Sequence, residues 1–400
     1  MKFSKMLATK LFIFSLLSLT ISAFAAGSTP PNIKIAIDAE FGIPGSTSAQ
    51  AVYNGAQVAV NEINASGGLL GRKLELVNFD NRALPARSLN NIREIAADSN
   101  FVAVMCGKYS PAVIEILPEI QLLKLPLLDP WAAADKITEI STTPNYVFRL
   151  SLRDSWALQV MMRHAQKIGA LNVGILLPNT AWGRSSLRAA EQAAIQDTRQ
   201  KIVSSQWYNW GDQSLLEQYQ VLRSAGAQAI ILVANEKEGV ILIKEIAALP
   251  QAEHLPVVAH WGLSGGDFFA QSGEDLAKVD LSIVQTYTFI GKTNSKAKQV
   301  LAGLKIVTGS DDPRKVVSPV GVAHAYDLVH LLAMAIRQAK STDRERIRNA
   351  LEKLGAYQGL VRNLNKPFSA KDHDALTISE VFMARYAEDG AIEPLGNFKP

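Results

Sequence analysis

Cysteine is the scarcest residue in this 400-residue sequence: Cys106 stands alone, which excludes a disulfide bond within the chain. Stability must therefore come from a hydrophobic core, which a chain of this length can build. The six histidines show no spacing typical of metal ligands. A glycine-rich stretch at residues 67–73 lacks the spacing of a phosphate-binding loop and is interpreted as a helix end and turn. We therefore expect no metal site, no nucleotide site and no cofactor.

The N-terminus has the composition of a secretory signal peptide. Lys2, Lys5 and Lys10 precede an apolar run at residues 11–21, and the small residues around Ala25 follow it. The run is too short to span a bilayer comfortably. We predict that residues 1–25 are a signal peptide, cleaved after Ala25. Because no cysteine lies near that position, no lipid anchor is expected.

The charge of the remaining chain is nearly balanced. The formal net charge is +4 at pH 7, and removing the three lysines of the signal peptide leaves +1. Such a chain has no electrostatic reason to bind nucleic acid or an anionic membrane. No other apolar run is expected to cross a bilayer. The sequence predicts a soluble protein with no nucleic-acid partner and no direct membrane insertion.

Apolar strands alternate with amphipathic helices from residue 31 onward, which predicts parallel sheets with helices on both faces. The fold class is α/β, and the number of strands favours two doubly wound lobes. Helices are expected at residues 50–64, at 154–168 and at 343–354, the last with a capping box at Thr342 and Glu345, and a strand-like segment at 376–384. Seven strands are predicted, at residues 33–37, 74–79, 101–105, 125–129, 173–177, 229–233 and 256–260.

Aromatic residues recur just past the ends of these strands, where a doubly wound fold has its cleft. Trp131, Trp182 and Trp261 hold such positions, and Phe41 and Tyr109 occupy equivalent loops. Several aromatic residues in one topological position favour a cleft lining over ordinary core packing. Two further tryptophans, Trp207 and Trp210, follow a different strand and receive no assignment.

One segment fits a catalytic pattern. Residues 262–266 read Gly-Leu-Ser-Gly-Gly, which matches the nucleophile elbow of a serine hydrolase, and an acid or base could come from Asp327, His330 or His373. The alternative is a glycine-rich loop in which the glycines permit positive φ and Ser264 helps to cap the next helix. We favour the loop, and with it a protein that is not an enzyme. A serine esterase using Ser264 stays as an alternative.

Five segments together resemble the type I periplasmic binding proteins of the Leu/Ile/Val (branched-chain amino acid) kind. They read YNGAQVAVNEINASGGLLGRKLEL from residue 53, YVFRL from 146, AWGR from 181, STDRERIRNALEKLG from 341 and QGLVRNLNKPFSAKDH from 358. The resemblance implies two lobes joined by a three-strand hinge, residues 28–152 plus 286–357 and residues 153–285 plus 358–400. It also implies a periplasmic protein that traps a small molecule by hinge closure and delivers it to an ABC permease in the inner membrane. A ligand-sensing subunit of a signalling system is the alternative.

The resemblance also implies a set of ligand-binding positions. With the aromatic residues of the cleft, they form the expected site: Phe41, Tyr109, Ser110, Trp131, Ala132, Ala133, Asp154, Trp182, Asn235 and Trp261. Trp261 stands where amino-acid binders of the family place a carboxylate for the ligand ammonium, and a shift of one residue would put His260 there instead. A buried ammonium without an anion is costly. We therefore expect a small organic acid or other metabolite with an apolar or aromatic body. A quaternary ammonium compound in an aromatic cage is the alternative.

Overall fold

The computed structural model describes residues 30–139 and 142–396, and the description below concerns the compact unit that begins at Asn32. The predicted signal peptide, residues 1–25, lies outside the described residues.

The first sheet is formed entirely by parallel strands, in the order β2-β1-β3-β4-β5. Helices α1 to α3 follow the first three strands, so that the loops from strand to helix collect at one edge of the sheet. Every residue of β3 is buried, as expected of a central parallel strand. The elements are β1 (Ile33–Ala39), α1 (Ser48–Ala65), β2 (Leu74–Asp80), α2 (Pro85–Ala97), β3 (Phe101–Cys106), α3 (Ser110–Leu122), β4 (Leu127–Asp129) and β5 (Val147–Arg149).

The second sheet contains five more parallel strands, in the order β10-β9-β8-β6-β7. Helices separate these strands in the same alternating way. The elements are α4 (Asp154–Lys167), β6 (Asn172–Pro178), α5 (Ala181–Gln196), β7 (Lys201–Tyr208), α6 (Leu216–Ser224), β8 (Ala229–Leu232), α7 (Glu236–Ala247), β9 (Val257–Ala259), α8 (Phe268–Ser272) and β10 (Leu281–Gln285).

The chain then returns to the first sheet before it ends in the second. Helices α9 (Ser295–Thr308) and α10 (Pro319–Ala339) pack on α1, and α11 (Arg344–Leu351) packs on α10. A small hairpin follows, made of β11 (Tyr357–Gln358) and β12 (Asn363–Leu364). Finally, β13 (Phe382–Tyr386) pairs antiparallel with β10, and β14 (Ile392–Pro394) pairs with β13. The predicted α/β architecture with two mostly parallel sheets is confirmed, and the limits of the lobes stay a prediction.

Helix α10 corrects one expectation. Its 21 residues are long and apolar enough to cross a membrane by length and composition, although no such run was expected beyond the N-terminus. However, 89% of its apolar window is buried within the protein. Its partner α1 comes so close that a Cβ added at Gly55 would lie 2.0 Å from the carbonyl oxygen of Val322. A helix that is apolar on all sides can be a core helix, and α10 has that role here.

The seven predicted strands are all present, with ends that differ by no more than two residues. The turn at residues 67–73 is confirmed, because Gly68 has a φ of +75° and turns the chain at the end of α1. Towards the C-terminus the structure differs from the sequence predictions in two places. Helix α11 is capped by the Asp343 carboxylate, which accepts from the Arg346 N–H, so the capping box expected at Thr342 was wrong. Residues Ile378–Glu380 form a 3-10 turn before β13.

Candidate functional site

Three tryptophans meet between the two sheets. Trp131 follows β4 of the first sheet, Trp182 lies in the first turn of α5, and Trp261 follows β9 of the second sheet. The ring centroids of Trp131 and Trp261 are 5.6 Å apart, with an angle of 48° between the ring planes. All three side chains are buried. The strand ends therefore bring together the aromatic residues that the sequence assigned to the cleft.

A buried carboxylate adjoins these rings. Asp154 opens α4, and its backbone N–H donates to the Ala133 carbonyl over 2.8 Å. The indole Nε1 of Trp182 donates to Asp154 Oδ1 over 3.1 Å. His260 Nε2 lies 3.2 Å from the same oxygen, and its ring meets Trp182 edge-on at 5.1 Å. The N-terminus of α4 stabilises the negative charge of Asp154.

Several polar atoms of this cluster are buried without a hydrogen-bond partner among the described residues. They are Trp131 Nε1, Asp154 Oδ2 and both ring nitrogens of His260, because the contact between His260 and Asp154 lacks hydrogen-bond geometry. Buried polar groups are nearly always hydrogen-bonded, so each exception needs an explanation. Donors and acceptors that converge among aromatic rings are the usual lining of a small-molecule site.

His324 supports the cluster from α10. Its Nδ1 lies 2.7 Å from the Pro130 carbonyl and its Nε2 lies 3.0 Å from Thr286 Oγ1. Burial lowers the pKa of this imidazole to about 4, so the ring is neutral at pH 7. Its centroid is 5.9 Å from that of Trp261. His324 thus positions both the loop that leads into Trp131 and the ring of Trp261.

The polar residues expected near Trp131 have defined partners. Ser110 lies at the start of α3, where its Oγ accepts from the Ala134 N–H over 3.2 Å and can still donate its own proton. The backbone N–H groups of Trp131 and Ala132 reach the Asp129 carboxylate. Burial raises the pKa of Asp129 to about 6. The N–H of Ala132 is therefore already engaged, whereas the Ser110 hydroxyl is a possible donor to a ligand.

The remaining predicted residues lie farther out. Tyr109 and Asn235 line a groove of about 630 Å³ whose walls come from the strand ends of both sheets. The ring of Tyr109 meets Trp210 edge-on at 5.3 Å, so the tryptophan that received no assignment belongs to this groove. Phe41 is half-buried and packs against the hydrophobic core cluster that includes the three tryptophans.

Asn235 also connects the groove to the cluster. A Cβ added at Gly262 would lie 2.9 Å from Asn235 Oδ1 and 2.9 Å from the ring of Trp182. Because residue 262 is glycine, the side chains of Asn235 and Trp182 can both lie against its backbone.

Residues 262–266 do not form a nucleophile elbow. Trp261–Gly265 is a 3-10 turn, in which Ser264 Oγ donates to the Trp261 carbonyl over 2.7 Å and accepts from Gln285 Nε2 over 3.2 Å. The three downstream candidates bind elsewhere: Asp327 to Tyr357, His330 to Glu62 and His373 to the Val147 carbonyl.

The loop interpretation of this segment was also wrong in two details. Gly262, Gly265 and Gly266 are not among the residues with positive φ, and the cap position of α8 is held by Asp267 instead of Ser264. These glycines are needed for close approach to neighbouring groups.

The model of the periplasmic binding protein family matches residues 32–391. The chain belongs to the periplasmic binding protein family. Family members of this kind are substrate-binding proteins of ABC transporters, and they act outside the cytoplasm. The resemblance to the Leu/Ile/Val group is confirmed by a relative from Brucella melitensis named Leu/Ile/Val-binding protein homolog 7. It is 24% identical over 245 residues, which cover 58% of this chain and 59% of the relative's length.

Solved structures share the fold at low sequence identity. A type 1 periplasmic binding protein from Bordetella pertussis superposes with a TM-score of 0.82 and 23% identity, over 91% of this chain and 100% of that one. A solute-binding protein of an ABC transporter from R. palustris, in complex with 4-hydroxybenzoate, gives a TM-score of 0.77 and 16% identity, over 91% and 95% of the two chains. These likenesses show the type I fold in this periplasmic binding protein.

Proposed function

We propose that this protein is the periplasmic solute-binding component of an ABC importer. In this proposal the predicted lobes close by a hinge motion on a small organic acid with an aromatic or apolar body, which the protein passes to a permease in the inner membrane. This proposal rests mainly on the buried cluster of three tryptophans, to which both sheets contribute. Several polar atoms of this cluster have no hydrogen-bond partner within residues 30–139 and 142–396. A ligand held there would contact both lobes at once.

The chemistry of the cluster favours an acid over an α-amino acid. Trp131 Nε1 and the His260 ring are donors, and the hydroxyl of Ser110 is a further one. Asp154 Oδ1 already accepts from Trp182, which leaves Oδ2 as an acceptor for a ligand hydroxyl. Indole rings supply flat apolar surface. The neighbour from R. palustris, in complex with 4-hydroxybenzoate, supports a ligand of this size and class.

A quaternary ammonium compound is the competing ligand, since tryptophan rings beside a carboxylate are suited to it. Against it, Trp131 Nε1 and the His260 ring offer buried donors with no partner among the described residues, and a quaternary ammonium group has no acceptor for them.

Thermal-shift measurements with 4-hydroxybenzoate, benzoate, choline and leucine test these alternatives. A compound at one hundred times its dissociation constant stabilises the native state by about 2.7 kcal/mol. For an acid, Ser110→Ala should weaken binding strongly and Asp154→Asn much less; for a cation the order is reversed. Tight binding of leucine that survives Trp261→Ala would contradict both proposals and favour the ligands named for the Brucella relative.

The location is tested separately. We infer that the chain is exported and cleaved after Ala25, which leaves Ala26 as the first residue of a protein without a lipid anchor. Mass spectrometry of the protein from a periplasmic extract should give that N-terminus. A chain that retains residues 1–25 in the membrane fraction would contradict this inference.

A further inference from the structure

The glycine-rich turn after β9 binds the loop before α1 across the cleft. The Thr47 N–H donates to the Gly265 carbonyl over 2.8 Å, and the Asp267 N–H donates to the Gly45 carbonyl over 3.0 Å. The Ser318 hydroxyl adds a bond of 2.6 Å to the carbonyl of Ser264. The loop at residues 45–47 follows β1 of the first sheet and the turn belongs to the second, so these bonds hold the strand ends of the two sheets together.

A buried ion pair lies beside this contact. Lys108 follows β3 of the first sheet, and its Nζ is 2.6 Å from Oε2 of Glu236, the first residue of α7 in the second. The side chains are 1% and 8% exposed. The same Nζ donates to the Gly265 carbonyl over 3.0 Å. Lysine and glutamate are rarely buried unless they are paired, and here each finds its partner on the opposite sheet.

The surrounding charges make Lys108 the more critical partner. Burial raises the pKa of the adjacent Tyr109 phenol, and the carboxylates of Glu236, Glu40 and Glu238 raise it further. The Nζ of Lys108 lies 5.3 Å from the ring centroid of Tyr109. Three carboxylates thus act on the residue next to Lys108, and loss of the ammonium that pairs with Glu236 would leave their negative charge unbalanced.

The turn has the glycines that this pair requires. A Cβ at Gly265 would lie 2.8 Å from Lys108 Nζ, and one at Gly266 would lie 2.4 Å from Glu236 Cγ. The Gly-Leu-Ser-Gly-Gly sequence, which matches a hydrolase pattern, thus has a structural purpose: it lets a backbone carbonyl approach a buried ammonium.

We propose that Lys108 and Glu236 are affinity-determining residues that hold the closed form of the protein by an ion pair across the cleft, without contacting the ligand. This inference rests on the proposed hinge closure. In an open form both groups would be hydrated, and closure would bury them. The attraction between them roughly balances that desolvation only while both are present, whereas a single remaining charge is buried without compensation.

The experiment compares Lys108→Met, the double variant Lys108→Met/Glu236→Leu and the control Lys237→Met. Lys237 is the neighbour of Glu236 in the chain, and its side chain is exposed. Small-angle scattering gives the radius of gyration with and without 4-hydroxybenzoate, and titration calorimetry gives its dissociation constant. Circular dichroism melting of each variant checks that it is folded.

Lys108→Met should enlarge the ligand-free radius and weaken binding by at least about 100-fold, the lower end of the scale for an uncompensated buried charge. The double variant should recover most of the compaction and binding, and Lys237→Met should resemble wild type. Equal radii for wild type and Lys108→Met, with and without the compound, would overturn the inference. So would a double variant that is worse than Lys108→Met.

The proposed function can fail separately. A wild-type protein that ignores 4-hydroxybenzoate, yet is more compact than Lys108→Met, would contradict the proposed ligand and still support the ion pair as the closing contact.

Discussion

Gly266 offers a direct test of closure, because a single methyl group there would separate the two sides of the cleft. Its φ of −159° is extended backbone that any residue adopts, so Gly266→Ala brings no strain of its own. The new Cβ would lie 2.5 Å from the carbonyl oxygen of Gly45. In an ordinary van der Waals contact a Cβ lies at least 3.4 Å from its neighbour, almost 1 Å farther than here. The backbone of Gly45 can yield only if the two loops part.

Parting the loops would break the two backbone bonds that flank this contact, Thr47 to Gly265 and Asp267 to Gly45. At about 1 kcal/mol for each bond, the closed form should lose about 2 kcal/mol. Typical overpacking costs of about 1–3 kcal/mol agree with this figure. Binding that requires closure should then weaken by about 30-fold. An open form relieves the clash with Gly45, and the flexible Glu236 side chain, which would also meet the new methyl group, can turn away once it is released from Lys108. Unfolding of the ligand-free protein should therefore change little.

Calorimetric titration with the compound that gives the largest thermal shift measures the first effect, and urea unfolding measures the second. The matched control is Gly355→Ala, because a Cβ there meets open space. Wild-type affinity in Gly266→Ala would refute the reasoning. A loss of folding stability as large as the loss of binding would refute it too, because the damage would then not be specific to the closed form.

Further expected outcomes concern stability and catalysis. Gly55→Ala should lower the free energy of unfolding by about 1–3 kcal/mol, because its Cβ would meet the Val322 carbonyl between α1 and α10; an unchanged urea midpoint would contradict that close approach. The pKa of His324, lowered to about 4 by burial, means that the unfolded chain binds a proton as the pH falls below about 6.5 while the folded chain does not. This imidazole should therefore cost about 2 kcal/mol of stability between pH 7 and pH 5. Asp129, whose pKa burial raises to about 6, acts in the opposite direction, so the effect is read as the difference between wild type and His324→Gln, and parallel pH profiles would contradict it. Finally, the protein should hydrolyse no model ester, and turnover that disappears in Ser264→Ala would restore the esterase alternative.

The buried strands could be predicted from sequence because they are continuous apolar runs. Strand β7 could not, because it lies at the edge of its sheet and carries Ser204, Ser205 and Gln206 in its middle. That Trp131, Trp182 and Trp261 lie between the two sheets could be predicted from their position after strands, a local property. His260 and Lys108 were harder, since what distinguishes each is a partner more than 100 residues away, Asp154 and Glu236. The sequence feature that marked them was a lysine or a histidine shortly after a buried strand.

The solitary thiol has a practical consequence. Cys106 is buried at the end of β3, burial raises its pKa well above the ordinary value, and its Sγ lies 3.4 Å from Asp129 Oδ1. A thiol in that state reacts poorly with alkylating dyes. A cysteine introduced at exposed Arg82 or Gln271, on opposite walls of the groove, would therefore be the single labelled position. An environment-sensitive fluorophore there would turn the native chain, with no prior cysteine removal, into an optical sensor for its own ligand.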